Sequence, residues 1–253
     1  MQPRPAFPEL LRQTERTLVG TFLYMPEPEI VRVLGQVPLD FVIVDLEHGA
    51  YGVEGCAALL RAVATTSLYG VVRVADGNAS AIGKALDLGA DAVLVPHVDS
   101  VAAARAAVEA AKFPPRGQRG AYPYSAANLY GLHPDVTLPL QNALTAVWAL
   151  VEGAEGVRNL DDIVRVEGLD AIFIGPVDLS HALGVPGQVD HPLVVEKVNE
   201  IRQVASGAGV AVAAYLANPS MLHIYGAGFS AVACSVDVDV LGRAYRQVLE
   251  ALR

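Results

Sequence analysis

Residues 41–47 read FVIVDLE, and His48 follows directly. Phe41, Val42, Ile43 and Val44 make a short apolar, β-rich run, the mark of a strand buried on both faces. Its charges arrive together at the end. Seven further runs share this character: TFLYM (21–25), GVVRVA (70–75), AVLVPHV (92–98), TAVWALV (145–151), AIFIG (171–175), VAVAAYL (210–216) and AVACSV (231–236). Ala/Leu-rich segments with helical spacing lie among them, over 55–66, 79–88, 101–112, 193–207 and 240–252. Pro192 and Pro219 suit the first turn of a helix, where a missing N–H costs nothing. This alternation predicts βαβ units and a parallel sheet. Eight repeats in 253 residues predict an α/β fold, a single (β/α)8 TIM barrel spanning 1–253. An open doubly wound sheet is the alternative. It would want a GxGxxG turn after the first strand, and none is there.

Hydrophobic residues make up 53% of the chain and charged ones 18%, which suits buried strands covered by helices. The net charge of −9 argues against a nucleic-acid partner, which needs a basic face, and against a polybasic membrane patch. The two cysteines, Cys56 and Cys234, lie in apolar runs without CxxC spacing and read as small core residues. The segment MQPRPAFPELLRQ has no signal-peptide core, and no apolar run is long enough to span a membrane. The expectation is a reducing, cytoplasmic location. One stretch, 113–140, is irregular and rich in Pro, Gly, Tyr and Asn. Loops of that length are often functional, and a loop after a barrel strand faces the catalytic end.

The ends of the strands carry the chemistry. Asp45, Glu47 and His48 end the second, Arg73 and Asp76 the third, Glu152 and Glu155 the fifth, Asp178 the sixth, Asp237 and Asp239 the eighth. In a barrel these converge on one mouth. Glu152 and Asp178 follow neighbouring strands, and two carboxylates with water and substrate oxygens suit Mg²⁺ or Mn²⁺. The alternative is a helix cap and an arginine pair. His48 is the candidate general base, with a hydrogen-bonded structural histidine as the other reading. Asp45 and Glu47 would share a face if the strand persisted. His97, inside an apolar run, reads as structural. Arg73 reads as the anchor of a substrate carboxylate or as a salt bridge inside the barrel. Gly175 and Pro176 leave the following backbone N–H groups open to an anion. The only lysines, Lys84, Lys112 and Lys197, fall in or at the ends of helices. None is placed for a Schiff base, so carbon–carbon chemistry here would need a metal to stabilise an enolate.

These residues carry a resemblance. FVIVDLEHGAYG (41–52), VVRVADGN (71–78), LDLGADAVLVPHV (86–98), FPPRGQRG (113–120), LVEGAEG (150–156), GPVDLSHALG (175–184) and SVDVDVLGR (235–243) together resemble the HpcH/HpaI aldolase family. These are metal-dependent class II pyruvate aldolases, aldehyde-lyases typified by 4-hydroxy-2-oxoheptanedioate aldolase. The resemblance implies Glu152 and Asp178 as ligands of Mg²⁺, Mn²⁺ or Co²⁺. It implies His48 as the base working through a metal-bound water, and Asp87 as the partner of that histidine. Arg73 then holds the pyruvate carboxylate and stabilises the enolate. Asp45 and Glu47 order metal-bound waters. Gly175, Pro176, Val177 and Leu216 complete the substrate-binding set. It also implies a homohexamer that exchanges a C-terminal helical segment, with pyruvate and an aldehyde as small-molecule partners.

Two departures stand out. Leu150 replaces a glutamine, two residues before the metal-binding glutamate. The loop after Gly120 reads AYPYSAA (121–127) and carries no charge, so a distal carboxylate on the aldehyde has no obvious partner there. Two rival readings remain. A CoA-ester lyase of the citryl- or malyl-CoA type would want a basic or adenine-stacking surface at the mouth. A non-catalytic binding barrel would want none of this chemistry.

Overall fold

The apolar runs close on themselves. The computed structural model describes residues 4–133 and 135–253; residues 1–3, part of the segment read for a leader, and Pro134, in the irregular stretch, lie outside it. Eight strands form the barrel: β1 Leu18–Leu23, β2 Phe41–Asp45, β3 Tyr69–Arg73, β4 Ala92–Val95, β5 Ala146–Val151, β6 Ala171–Ile174, β7 Ala211–Leu216 and β8 Ala231–Val236. Each pairs in parallel with the next, and β8 pairs with β1. Helices lie between them, so both faces of the sheet are covered, as an all-parallel sheet requires.

Side chains alternate along each strand. Leu18, Phe22, Phe41, Ile43, Tyr69, Val71, Leu94, Trp148, Leu150 and Phe173 fill the barrel, while Val42, Val44, Val72, Val93, Val147, Val151 and Ile172 pack outward on the helices. The interior is lopsided. Its buried rings come from β1, β2, β3, β5 and β6, and β7 and β8 answer with Ala211, Ala213, Ala231 and Ala233. Gly20 belongs to this arrangement, because a Cβ there would lie 2.5 Å from the Phe41 ring.

The helix Phe7–Gln13 stoppers the N-terminal end of the barrel. Phe7 stacks on Tyr69 at 4.4 Å between centroids and leans on Trp148 at 5.7 Å. Burying such a ring stabilises the fold by about 1.5–3 kcal/mol. Three aspartates at this end repeat one device. Asp40 accepts the N–H of Val19, Asp91 that of Gly70, and Asp170 that of Val147. Each also meets an arginine from the N-terminal segment: Arg16 at 2.5 Å, Arg4 at 2.6 Å and Arg12 at 3.1 Å respectively.

Strand limits differ from the sequence reading by more than one residue at four strands, among them β2, which ends at Asp45 and not at Glu47. β1 starts earlier and stops at Leu23, because the N–H groups of Tyr24 and Met25 turn to the Asp237 carboxylate at 3.0 Å each. β3 ends at Arg73, before Val74 and Ala75. β4 ends at Val95, because Pro96 has no N–H to continue the ladder. The stretch 113–140 is not wholly irregular: it holds a 3-10 segment, Ala126–Gly131, and the start of the helix Leu138–Leu144.

Candidate active site

The site begins with register. Asp45 and Arg73 are direct cross-strand partners on β2 and β3, and both point inward. Arg73 Nε donates to Asp45 Oδ1 at 2.9 Å and Nη2 to Oδ2 at 2.6 Å, a bidentate fork. Its Nη1 lies 3.1 Å from Glu47 Oε2, and its guanidinium sits 4.9 Å above the Phe22 ring. Burial opposes this charge, but hydrogen bonding to Asp45 and the charges of Asp45, Glu47 and Glu152 outweigh it and raise the Arg73 pKa. Arg73 therefore makes the salt bridge inside the barrel and also lies in the cavity wall.

Asp45 also shapes the turn that follows it. Its Oδ1 accepts the N–H of Glu47 at 3.1 Å and of His48 at 3.2 Å. The chain thus leaves the strand at Asp45 and carries His48 to the rim, where its ring is exposed and lies 4.0 Å from Glu47. Gly49 permits the turn, since a Cβ there would lie 2.1 Å from the Asp45 carbonyl oxygen.

Glu152 follows β5 on its inner side and is buried. Burial, then the charges of Asp178 and Glu47, push its carboxyl up to about 7, against help from His97 and Arg73. Gly175 makes room for it: a Cβ there would lie 2.8 Å from Glu152 Oε2. Asp178 sits in the first turn of the helix Pro176–Ala182. A cavity of about 270 Å³ joins these groups; its wall includes Asp45, His48, Arg73, Leu150, Glu152, Gly175, Val177 and Asp178. Phe22, Phe173, Tyr215 and Val236 supply the rest.

Among the described residues no group of three or more His, Cys, Asp or Glu is arranged to hold a metal ion. The donor set on offer is two hard carboxylates, Glu152 and Asp178. That set suits a cation which keeps water and substrate oxygens in its shell. The raised Glu152 carboxyl, and Asp178, which has no ion-pair partner among the described residues, mark a mouth short of positive charge at these two carboxylates. A divalent cation fits it.

Four expectations need correcting or placing. Leu216 does not reach the cavity. It is on the outward phase of β7 with Val212 and Ala214, packed under the helices, and its neighbour Tyr215 takes the inward position. Pro176 is buried as the first residue of its helix and is not in the cavity wall. Asp87 ends the helix Ala79–Asp87 and accepts from Arg119 Nη2 at 2.5 Å; among the described residues no hydrogen bond joins it to His48 within one chain. His97 is not a buried structural residue. Its ring is exposed, with Nδ1 3.1 Å from Glu152 Oε1 and Nε2 3.3 Å from Glu47 Oε1, on a backbone with φ of 53°. Pro96 was the available signal, since a strand cannot run through it.

The model of the HpcH/HpaI aldolase/citrate lyase family matches residues 18–243. A hydroxypyruvate/pyruvate aldolase of Roseobacter denitrificans is 32% identical over 94% of this chain and 93% of its own. A 2-keto-3-deoxy-L-rhamnonate aldolase of Salmonella gallinarum is 32% identical over 89% and 85%. A solved HpcH/HpaI aldolase/citrate lyase family structure from Burkholderia cenocepacia superposes with a TM-score of 0.92 at 32% identity, over 97% of this chain and 98% of that one.

Proposed function

This chain belongs to the HpcH/HpaI aldolase/citrate lyase family and is a carbon–carbon lyase of the aldolase type, and we propose that it makes and breaks the C3–C4 bond of 4-hydroxy-2-oxo acids. The products of cleavage are pyruvate and an aldehyde. One observation carries the reading: the Asp45–Arg73–Glu47 array faces Glu152 and Asp178 across one cavity, so a cation and a pair of hard anionic donors meet at one small volume.

Glu152 and Asp178 would hold Mg²⁺, Mn²⁺ or Co²⁺, which when bound supplies Lewis-acid stabilisation of negative charge developing on the 2-oxo acid, worth several kcal/mol. The chain's own groups do the rest. Arg73 offers its remaining N–H groups to the substrate carboxylate. The backbone N–H groups of Val177 and Asp178, in a helical first turn, have no acceptor inside the helix and add to that grip. His48, held at the rim by its backbone bond to Asp45, takes the proton of the 4-hydroxyl as the C3–C4 bond breaks. It returns a proton to C3 of the enolate, so pyruvate leaves with atoms balanced. Such proton transfer contributes about 10²–10⁴-fold. Asp45 keeps Arg73 aimed. We retain Asp87 as the partner of His48 only in an assembly, where a second copy of the chain supplies it.

The assembly is part of the proposal. On the helix Asp237–Ala251 every residue after Asp237 is at least partly exposed, and Val240, Leu241, Tyr245, Val248 and Leu249 are all strongly so. That face supports a homo-oligomer, a hexamer in our reading, in which this helix is exchanged between subunits. Both cysteines are free, and among the described residues no helix is long and apolar enough to cross a membrane. These accord with the cytoplasmic location we propose. The aldolase relatives weigh against a non-catalytic barrel, and among the described residues the cavity wall has no basic residue beyond Arg73 and His48 to favour a CoA ester.

The test is pyruvate release from a panel of 4-hydroxy-2-oxo acids with Mg²⁺, Mn²⁺ or Co²⁺ supplied. Glu152→Ala combined with Asp178→Ala should abolish it. Undiminished turnover in that double variant would refute the roles given to both carboxylates.

A further inference from the structure

The cavity has two unlike sides. Asp45, His48, Arg73, Glu152 and Asp178 form one, and Phe22, Leu150, Phe173 and Val236 form most of the other. The apolar side is tightly built. Phe22 meets Phe173 edge-on at 6.1 Å and 83°, and meets Tyr215 at 5.7 Å and 79°. Phe173 in turn stacks on Trp148 at 6.1 Å, which backs it from inside the barrel. Each ring packs against another, so the wall holds its shape. Leu150 lies beside them, buried, and offers no hydrogen bond.

Arg73, the guanidinium of the cavity wall, is largely committed. Of the five N–H groups of Arg73, two serve Asp45, and Nη1 faces Glu47. What remains suits one anion, the carboxylate of pyruvate. Arg243 is close enough to Tyr215 to act on its hydroxyl electrostatically, but it is tied to Asp239 at 2.8 Å and Ser235 at 2.8 Å. It is not in the cavity wall. A second carboxylate on the substrate would therefore meet Asp45, Glu152 and Asp178 on one side and Phe22, Leu150, Phe173 and Val236 on the other, with the Tyr215 hydroxyl as a neutral donor. One neutral hydroxyl does not replace the hydration of a carboxylate, so an anion placed so is disfavoured.

Building on the pyruvate reading above, we propose that the aldehyde partner is uncharged and apolar next to its carbonyl, that it lies against Phe22, Leu150, Phe173 and Val236, and that this wall rejects aldehydes bearing a second carboxylate. Leu150 and Phe173 are then specificity-determining residues. They choose the partner without taking part in the proton transfers.

Two aldehydes of equal carbon count test it: butanal and 4-oxobutanoate. The intact enzyme, with Mn²⁺ supplied, is first assayed for exchange of the pyruvate C3 protons in D2O by NMR. Exchange needs enolate formation but no aldehyde, so it tests the pyruvate reading alone. Adduct formation from each aldehyde is then measured and normalised to the exchange rate. We expect kcat/KM for butanal to exceed that for 4-oxobutanoate by at least about tenfold, within the range an apolar pocket can discriminate. Val177 lies in the cavity wall and is 38% exposed, so Val177→Lys introduces a cation without opening the core. It should raise the normalised use of 4-oxobutanoate about tenfold and leave butanal ahead by less. Active exchange with equal or better use of 4-oxobutanoate by the parent enzyme would overturn the proposal and leave the pyruvate reading standing. Absent exchange would overturn both.

Discussion

Replacing Gly175 with alanine puts one methyl group where Glu152 now passes. The backbone accepts it, because φ at Gly175 is −101°. The new Cβ would lie 2.8 Å from Glu152 Oε2, 3.1 Å from Glu152 Cβ and 3.3 Å from Leu150 Cδ1. Ordinary contact begins at 3.4 Å, so the carboxylate oxygen must retreat by about 0.6 Å. It cannot retreat freely, because its other oxygen meets His97 at 3.1 Å. Misplacing a catalytic group by about 1 Å costs on the order of 10²-fold. A shift of about half that size should lower the rate of pyruvate C3 exchange by roughly tenfold. Overpacking of this kind costs about 1–3 kcal/mol. In a chain of this length that lowers Tm by about 2–4 °C per kcal/mol. The assay pairs a thermal melt with the exchange rate at saturating Mn²⁺. A folded Gly175→Ala enzyme with parental exchange would refute the reasoning, for it would mean that the position of Glu152 does not matter.

Other outcomes follow from the same geometry. Burial and Asp178 lift Glu152 from 4.5 to about 7, so the folded state holds its proton more tightly than the unfolded chain does. Its contribution to stability is complete below pH 4.5 and is lost as pH rises through 7, a change on the order of 3 kcal/mol. In chelator, Glu152→Gln should therefore melt higher than the parent at pH 8 and together with it near pH 5; coincident melts at pH 8 would show that the carboxylate is not strained. Arg73→Lys keeps the charge but loses the fork to Asp45, and should cost at least about 100-fold in kcat/KM with about 1–3 kcal/mol of stability; parental kinetics would refute the anchor role. Leu216→Ala should cost about 2–5 kcal/mol in denaturant unfolding yet leave the butanal preference unchanged; a changed preference would put Leu216 back in the site. Leu241→Lys with Leu249→Lys should reduce the mass seen by light scattering, and an unchanged oligomer would remove the exposed helix from the interface.

Much of this was legible in residues 41–48 and their counterparts. A barrel of parallel strands advertises itself because each strand is apolar on both faces, and each ends where the polar groups begin. The convergence of Asp45, Arg73 and Glu152 also follows from alternation alone. What escaped did so for identifiable reasons. Leu216 rests on the resemblance alone; counting parity along β7 from Ala211 and Ala213 puts Tyr215 inward, but small residues give no hint of which face they fill. Phe22 and Phe173 are aromatic residues in apolar strands, and nothing in composition separates a cavity wall from a core. His97 was hidden by extending β4 through Pro96. Asp87 meets Arg119 across a sequence separation of 32, through a loop with no periodicity to read.

The three arginines at the closed end of the barrel carry one more consequence. Arg4, Arg12 and Arg16 each bind an aspartate that also receives a backbone N–H from the neighbouring strand. Strands one to six are thus tied in pairs at one end, while the wall that meets the aldehyde is built at the other. The molecule separates what keeps it shut from what decides its selectivity. Leu150, Phe173 and Val236 can be exchanged for residues of similar volume with the fastenings untouched, so this barrel is a chassis on which the choice of aldehyde can be rewritten from one end only.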